Sequence, residues 1–131
     1  MRFDHIGIFV RDIEQGRAAL ASLIPVARDS VVFEDPLLQV KVQFLYDESG
    51  TCYELVAPFG PDNPVDVVLK TRKNILNHVA YRVDDFDDAM AQLRDKGCFP
   101  ITPPRPAVAF AGKRVAFLFT TLNFVMELIE T

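Results

Sequence analysis

The sequence predicts an α+β fold: two βαβββ modules in tandem, forming one curved, cup-shaped mixed sheet with the helices outside. Three observations predict it. The chain aligns with itself, without a gap, at an offset of 73 residues, the spacing from His5 to His78 and from Glu54 to Glu127. Each half reads as a strand, a helix and then three strands. Helix-capping residues recur at the same offset, Asp12 falling on Asp85.

The repeat holds from the first strand to the last. Asp4-His5-Ile6-Gly7-Ile8-Phe9-Val10 falls on Asn77-His78-Val79-Ala80-Tyr81-Arg82-Val83, and Ala18 and Leu20 fall on Ala91 and Leu93. Lys41-Val42-Gln43-Phe44-Leu45 falls on Arg114-Val115-Ala116-Phe117-Leu118, and Glu54-Leu55-Val56 on Glu127-Leu128-Ile129. A first strand over Phe3 to Val10 leads to a helix over Ile13 to Leu23, with Asp12 as N-cap and Gln15 completing a capping box. Strands follow over Val26 to Val32, Gln39 to Tyr46 and Thr51 to Ala57, the last two joined by a tight turn at Asp47-Glu48-Ser49-Gly50. The second module repeats this with a helix over Phe86 to Lys96, capped by Asp85 and stopped by Gly97, then strands over Phe99 to Thr102, Arg114 to Thr120 and Phe124 to Glu130. Between the modules a connector carries a short helix after Asn63-Pro64. The proline-rich stretch Pro103 to Gly112 reads as the longest unstructured segment and a candidate lid.

With 131 residues, half of them apolar, the chain fits a single domain: module 1 over 1–57, connector over 58–75 and module 2 over 76–131. A net charge of -4 without a run of basic residues excludes a nucleic-acid backbone as partner. No stretch reaches the roughly 18 apolar residues of a membrane span, and no secretory signal pattern is present, so the expected compartment is cytoplasmic. Cys52 and Cys98 have no CxxC spacing and read as reduced packing residues. Exposed sheet edges at the module junction make a homodimer the expected assembly.

Alternation along the strands gathers the ionisable residues on one face. Ile6, Ile8 and Val10 oppose His5, Gly7 and Phe9, while Val79, Tyr81 and Val83 oppose His78, Ala80 and Arg82, and the helices cover the aliphatic side. Tyr53, Leu55, Met126 and Leu128 go with the helices, leaving Glu54 and Glu127 on the other face with the histidines. A lone histidine on a half-buried strand is usually a packing residue. Here the repeat duplicates both residue types on one face, so His5, Glu54, His78 and Glu127 are read as ligands of one divalent cation, drawn from Co, Ni, Mn, Fe and Zn. The same alternation places Lys41, Gln43, Arg82 and Arg114 on that face, either clamping an anionic substrate or neutralising nearby glutamates.

These stretches resemble the vicinal-oxygen-chelate superfamily, whose paired βαβββ modules form a metal-holding cup. Asp4-His5-Ile6-Gly7, Glu54-Leu55-Val56-Ala57-Pro58, Asn77 to Asp85 and Gly112 to Leu118 are most similar to the methylmalonyl-CoA epimerase branch. Two features depart from that branch. Glu54 stands where the epimerases have Gln, which makes the ligand set similar to that of bacterial glyoxalase I. The hairpin Thr120 to Phe124 and the stretch Ala107 to Ala111 lack the branch's glycines. The resemblance implies a metal-dependent epimerase or isomerase that removes a proton beside a metal-polarised carbonyl of an acyl thioester such as methylmalonyl-CoA. Glu127 is the expected mobile base, with Glu54 as ligand or second base. The alternatives are a glyoxalase I-type isomerase (lactoylglutathione lyase) acting on a glutathione thioester precursor, and a non-catalytic binder of a small anionic ligand.

Overall fold

Each helix begins where the sequence supplies an Asx cap. The structure, a computed structural model, describes residues 1–70 and 73–131; Thr71 and Arg72, inside the expected connector, lie outside the described residues. Helix α1 (Ile13–Leu23) follows Asp12, whose side chain accepts from the Gln15 backbone N–H, and it ends at Ile24, held extended before Pro25. Helix α2 (Pro64–Val68) follows Asn63, and helix α3 (Phe86–Asp95) follows Asp85, each cap accepting from the backbone N–H three residues on. Gly97, at φ +89°, terminates α3 in a conformation that side chains with a Cβ resist. No helix among the described residues is long and apolar enough to cross a membrane.

The chain forms two compact units, one comprising Ile6–Leu76 and the other Met1–His5 with Asn77–Thr131. In the first, strand β1 (Arg2–Val10, from Ile6 onward) pairs in parallel with β5 (Cys52–Pro58), which pairs antiparallel with β4 (Val40–Asp47). The strands β2 (Val26–Asp29) and β3 (Phe33–Asp35) both lie on β4. The strand expected over Val26 to Val32 ends at Asp29, and β3 begins beyond it at Phe33; Ser30, just after β2, accepts on its hydroxyl from the Phe44 N–H while its own N–H donates to the Phe44 carbonyl. Under α1 lies a core of Val10, Ile13, Leu45, Leu55 and Ala57. Gly16 lets the helix sit close, since a Cβ there would meet Val10 at 2.9 Å.

The second unit repeats this pattern. Strand β6 (Asn74–Val83) pairs in parallel with β10 (Val125–Glu130), which pairs antiparallel with β9 (Arg114–Phe119); β7 (Phe99–Pro100) and β8 (Arg105–Pro106) lie on β9. Helix α3 covers Val83, Met90, Leu93, Ala116, Leu118 and Leu128. Burying a side chain such as Leu55 or Leu128 fully contributes about 2–3 kcal/mol. The registers correspond at the offset of the sequence repeat: Glu54 lies opposite Gly7 and Phe44, and Glu127 opposite Ala80 and Phe117.

Two expectations are corrected by these registers. The first concerns Pro103 to Gly112, which is not a free loop. Arg105 and Pro106 pair with Val115 and Arg114, a turn of 3-10 helix spans Val108–Phe110, and Ala111 and Gly112, at φ +54° and +80°, fold the chain back. The second concerns Lys41, Gln43 and Arg114, which share their face with the helices. Lys41 and Gln43 lie opposite Ala57 and Leu55, and the Arg114 guanidinium stands over the Phe86 ring of α3 at 4.6 Å. In β4 Lys41 and Gln43 alternate with Val40, Val42 and Phe44, and β9 is apolar on both sides; in neither strand does alternation say which side the helix covers, and the hairpin registers set it.

Arg114 bonds Asp87 at 3.0 Å and Glu130 at 2.8 Å, which raises its own pKa and, chiefly through that side-chain bond, lowers that of Glu130. A carboxyl depressed on folding stabilises the protein above its unfolded value, about 4.3 for Glu, and that contribution disappears as pH falls through the lowered folded value. R114M is therefore expected to melt below the parent at pH 7, with the difference closing in acid below the ordinary glutamate range and shrinking in high salt. Melting curves at pH 7 and pH 3 check this; an equal gap at both would assign the loss to packing on Phe86.

Candidate metal centre

Within the unit formed by Met1–His5 and Asn77–Thr131, three strands each contribute one donor. His5 comes from β1, His78 from β6 and Glu127 from β10, and all three are at most 2% exposed. Ala80, fully buried, lies opposite Glu127. The three ligand atoms form a nearly equilateral triangle: His5 Nε2 to His78 Nε2 is 3.2 Å, His5 Nε2 to Glu127 Oε2 is 3.1 Å and His78 Nε2 to Glu127 Oε2 is 3.2 Å.

What lies behind the rings fixes what they present. His5 Nδ1 is 2.8 Å from Asp4 Oδ2, and a carboxylate only accepts, so Nδ1 carries a proton. His78 Nδ1 likewise donates to Asn77 Oδ1 at 2.9 Å. A neutral ring with Nδ1 protonated turns the lone pair of Nε2 toward the centre, where the carboxylate of Glu127 brings more. Glu127 Oε2, though within ion-pair distance of both imidazoles, has no hydrogen-bond partner among the described residues. With both rings neutral, three acceptors would converge there and repel one another, which a cation among them relieves. Donors at about 2.1 Å from a common metal stand about 3.0 Å apart at right angles and about 3.4 Å apart at tetrahedral angles. The observed edges fall between these, so the residues fit a divalent cation bound by imidazole and carboxylate.

Around this triangle the walls are aromatic. The His5 ring stacks on Phe110 (centroids 5.9 Å, planes 11° apart) and the His78 ring meets Phe117 edge-on at 5.5 Å. Phe110 is delivered by the folded-back segment after β8. Arg82 lies on the same inner face, as expected, and its Nε donates to Asp4 Oδ1 at 2.6 Å, with its guanidinium 5.5 Å from the Phe110 centroid. Burial pushes the Asp4 carboxyl up, but the hydrogen bonds and charges of His5 and Arg82 outweigh it and hold the pKa below its ordinary value.

Of the expected site residues, then, the structure brings His5, His78 and Glu127 together, with Arg82 behind His5. Glu54 belongs to the other unit, where it is buried on β5, facing away from Leu55 and α1. Gln43 donates to the Ser30 carbonyl and the Lys41 ammonium stands over the Phe59 ring, both on the helix-side face of β4. Asp4 and Asn77 are site residues that strand alternation does not reveal, since neighbours along a strand point to opposite faces. The available signal was their place in the repeat, each immediately before a histidine.

A solved structure of a hypothetical protein from Bacillus halodurans superposes with a TM-score of 0.83 at 23% identity, over 99% of this chain and 94% of that one. A variant of methylmalonyl-CoA epimerase from Streptomyces coelicolor, in complex with 2-nitronate-propionyl-CoA, superposes with a TM-score of 0.75 at 25% identity, over 100% of this chain and 94% of that one. In sequence, the chain is 26% identical to the uncharacterized protein YqjC of Bacillus subtilis, over 98% of this chain and 91% of the relative. Residues 4–117 match the family model described as the glyoxalase/bleomycin resistance protein/dioxygenase superfamily. That match takes in both histidines and most of both units, and the chain belongs to this superfamily.

Proposed function

We propose that the protein is a divalent-metal-dependent epimerase that moves a proton at the carbon next to an acyl thioester carbonyl, with a substrate of the methylmalonyl-CoA class. The observation that carries this reading is the convergence of two imidazole Nε2 atoms and a carboxylate oxygen, 3.1 to 3.2 Å apart, at one buried centre. Glu54 is proposed as the fourth donor. Its support is its equivalence to Glu127 in the repeat, its burial, and its place opposite Gly7 and Phe44, as Glu127 is opposite Ala80 and Phe117.

A divalent cation held there supplies Lewis-acid chemistry, drawing electron density from a substrate carbonyl so that the neighbouring C–H becomes acidic. His5 and His78 orient toward it through Nε2, each fixed by its Nδ1 hydrogen bond. Phe110 and Phe117 exclude water from the imidazoles, which strengthens every electrostatic interaction between them. Glu127 takes the proton on a carboxylate oxygen and returns it; a second carboxylate, Glu54, offers a base for the opposite face of the carbon, as inversion requires. Lys41, Gln43 and Arg114 have no part in this reading, because they lie on the helix-side face.

One feature favours a second reading. A glutamate at position 54, where the epimerases have glutamine, makes the donor set similar to that of a glyoxalase I-type isomerase, which also moves a proton beside a carbonyl. The test is metal analysis of protein purified without chelator, followed by solvent-deuterium exchange into methylmalonyl-CoA and into a glutathione hemithioacetal. One equivalent of metal with exchange into the acyl-CoA supports the epimerase; exchange into the hemithioacetal alone supports the isomerase. A protein that takes up no metal and exchanges neither substrate would leave only a ligand-binding role.

A further inference from the structure

The two imidazoles are backed unequally. His78 Nδ1 donates to a neutral amide oxygen of Asn77, whereas His5 Nδ1 donates to the carboxylate of Asp4, which is itself held on its other oxygen by Arg82 Nε at 2.6 Å. Because the sequence repeat places Asp4 on Asn77, these are equivalent positions carrying different charge. We infer that Asp4 is a positioning residue that makes His5 the stronger of the two imidazole donors, with Arg82 holding Asp4 in place. The argument is geometric. Asp4 fixes the His5 proton on Nδ1 and its ring orientation, Phe110 stacks on that ring, and the Arg82 guanidinium lies over Phe110, so His5 is restrained along its edge and across its face. A carboxylate behind a ligating imidazole pushes electron density toward the ligating nitrogen, which an amide does far less, and losing such a partner typically costs 10–100-fold in metal affinity.

The affinity arm of the test rests on the proposed metal centre; the tautomer arm does not. In metal-free protein, 15N correlation spectra of the imidazoles are expected to show His5 as the Nδ1–H tautomer, and D4A is expected to shift it toward Nε2–H while the His78 signals stay in place. Calorimetric titration with Co2+ is expected to give a dissociation constant raised at least 10-fold in D4N, which leaves both histidines backed by amides, and lowered in N77D, which backs both with carboxylates. N77A is expected to cost less than D4A. Finding His5 protonated on Nε2 in the unaltered protein overturns the inference, with no variant needed. A D4N affinity within twofold of the parent also overturns it. If the parent bound no Co2+ but His5 kept its Nδ1 proton only while Asp4 was present, the positioning role would stand and the metal reading would fall.

Discussion

Glu127→Gln is expected to abolish solvent-deuterium exchange into substrate while leaving metal bound. The amide is isosteric with the carboxylate, so it fills the same space opposite Ala80 and Phe117 and still offers an oxygen toward the two imidazoles. What it loses is the capacity to accept and return a proton, worth about 10²- to 10⁴-fold in rate for a positioned general base. Exchange should therefore fall at least 100-fold with Co2+ uptake retained. Stability should move the other way. In the metal-free parent, Oε2 lies 3.1 and 3.2 Å from the two Nε2 atoms, and neutral rings with Nδ1 protonated offer it no donor. The glutamine amide brings N–H donors to that place, so metal-free E127Q is expected to be the more stable, by about 1 kcal/mol, the usual worth of a buried hydrogen bond gained. Exchange rates and melting temperatures, each with and without Co2+, check both halves. Unchanged exchange would remove Glu127 from proton transfer, and a destabilised metal-free variant would show that a proton already sits within the triangle.

What the sequence made legible, and what it hid, follows from how strongly each residue's environment is written locally. Capping at Asp12, Asn63 and Asp85 depends on residues three apart, and all three helices start where those residues predict. The inner faces of β1 and β6 were legible because their two sides differ in chemistry, which put His5, His78 and Arg82 together correctly. In β4 the polar Lys41 and Gln43 alternate with buried Val40, Val42 and Phe44, while β9 buries Val115, Ala116 and Leu118 across both its sides. Alternation alone does not say which side the helix covers, and Lys41, Gln43 and Arg114 were assigned to the wrong face, a single-residue slip being enough to invert a strand. The phase is set by pairing across the hairpin, Phe44 with Glu54 and Phe117 with Glu127, which is information from a distant residue. Pro103 to Gly112 read as open because proline and alanine carry no period. Its order comes from pairing with β9 and from the positive φ of Ala111, a residue whose side chain gives no hint of it. The Asp4 and Asn77 contacts went unread for the same reason: a regular strand separates neighbours, and these side chains nevertheless reach the adjacent ring.

The largest expected effect on binding belongs to His78→Ala. A cation bound only by the folded protein stabilises it by RT ln(1 + [L]/Kd), about 2.7 kcal/mol at 100 times Kd. For a chain of this length, unfolding entropy near 2.1 cal/mol/K per residue converts that into a rise in melting temperature of roughly 10 °C. Wild-type protein is expected to show such a rise with excess Co2+ and to lose it on adding chelator. H78A removes one corner of the triangle and one of the two imidazole donors, leaving His5 and Glu127 with a single 3.1 Å edge. Its Co2+ affinity should fall by more than 100-fold and its melting temperature should become insensitive to metal at concentrations that saturate the parent. Truncation also opens a gap beside Phe117, so the metal-free variant is expected to melt below the metal-free parent, and the comparison that matters is the increment produced by Co2+ in each protein. An equal increment in both would place the bound cation somewhere other than among these three strands, and the convergence of acceptors would then need a proton to hold it together.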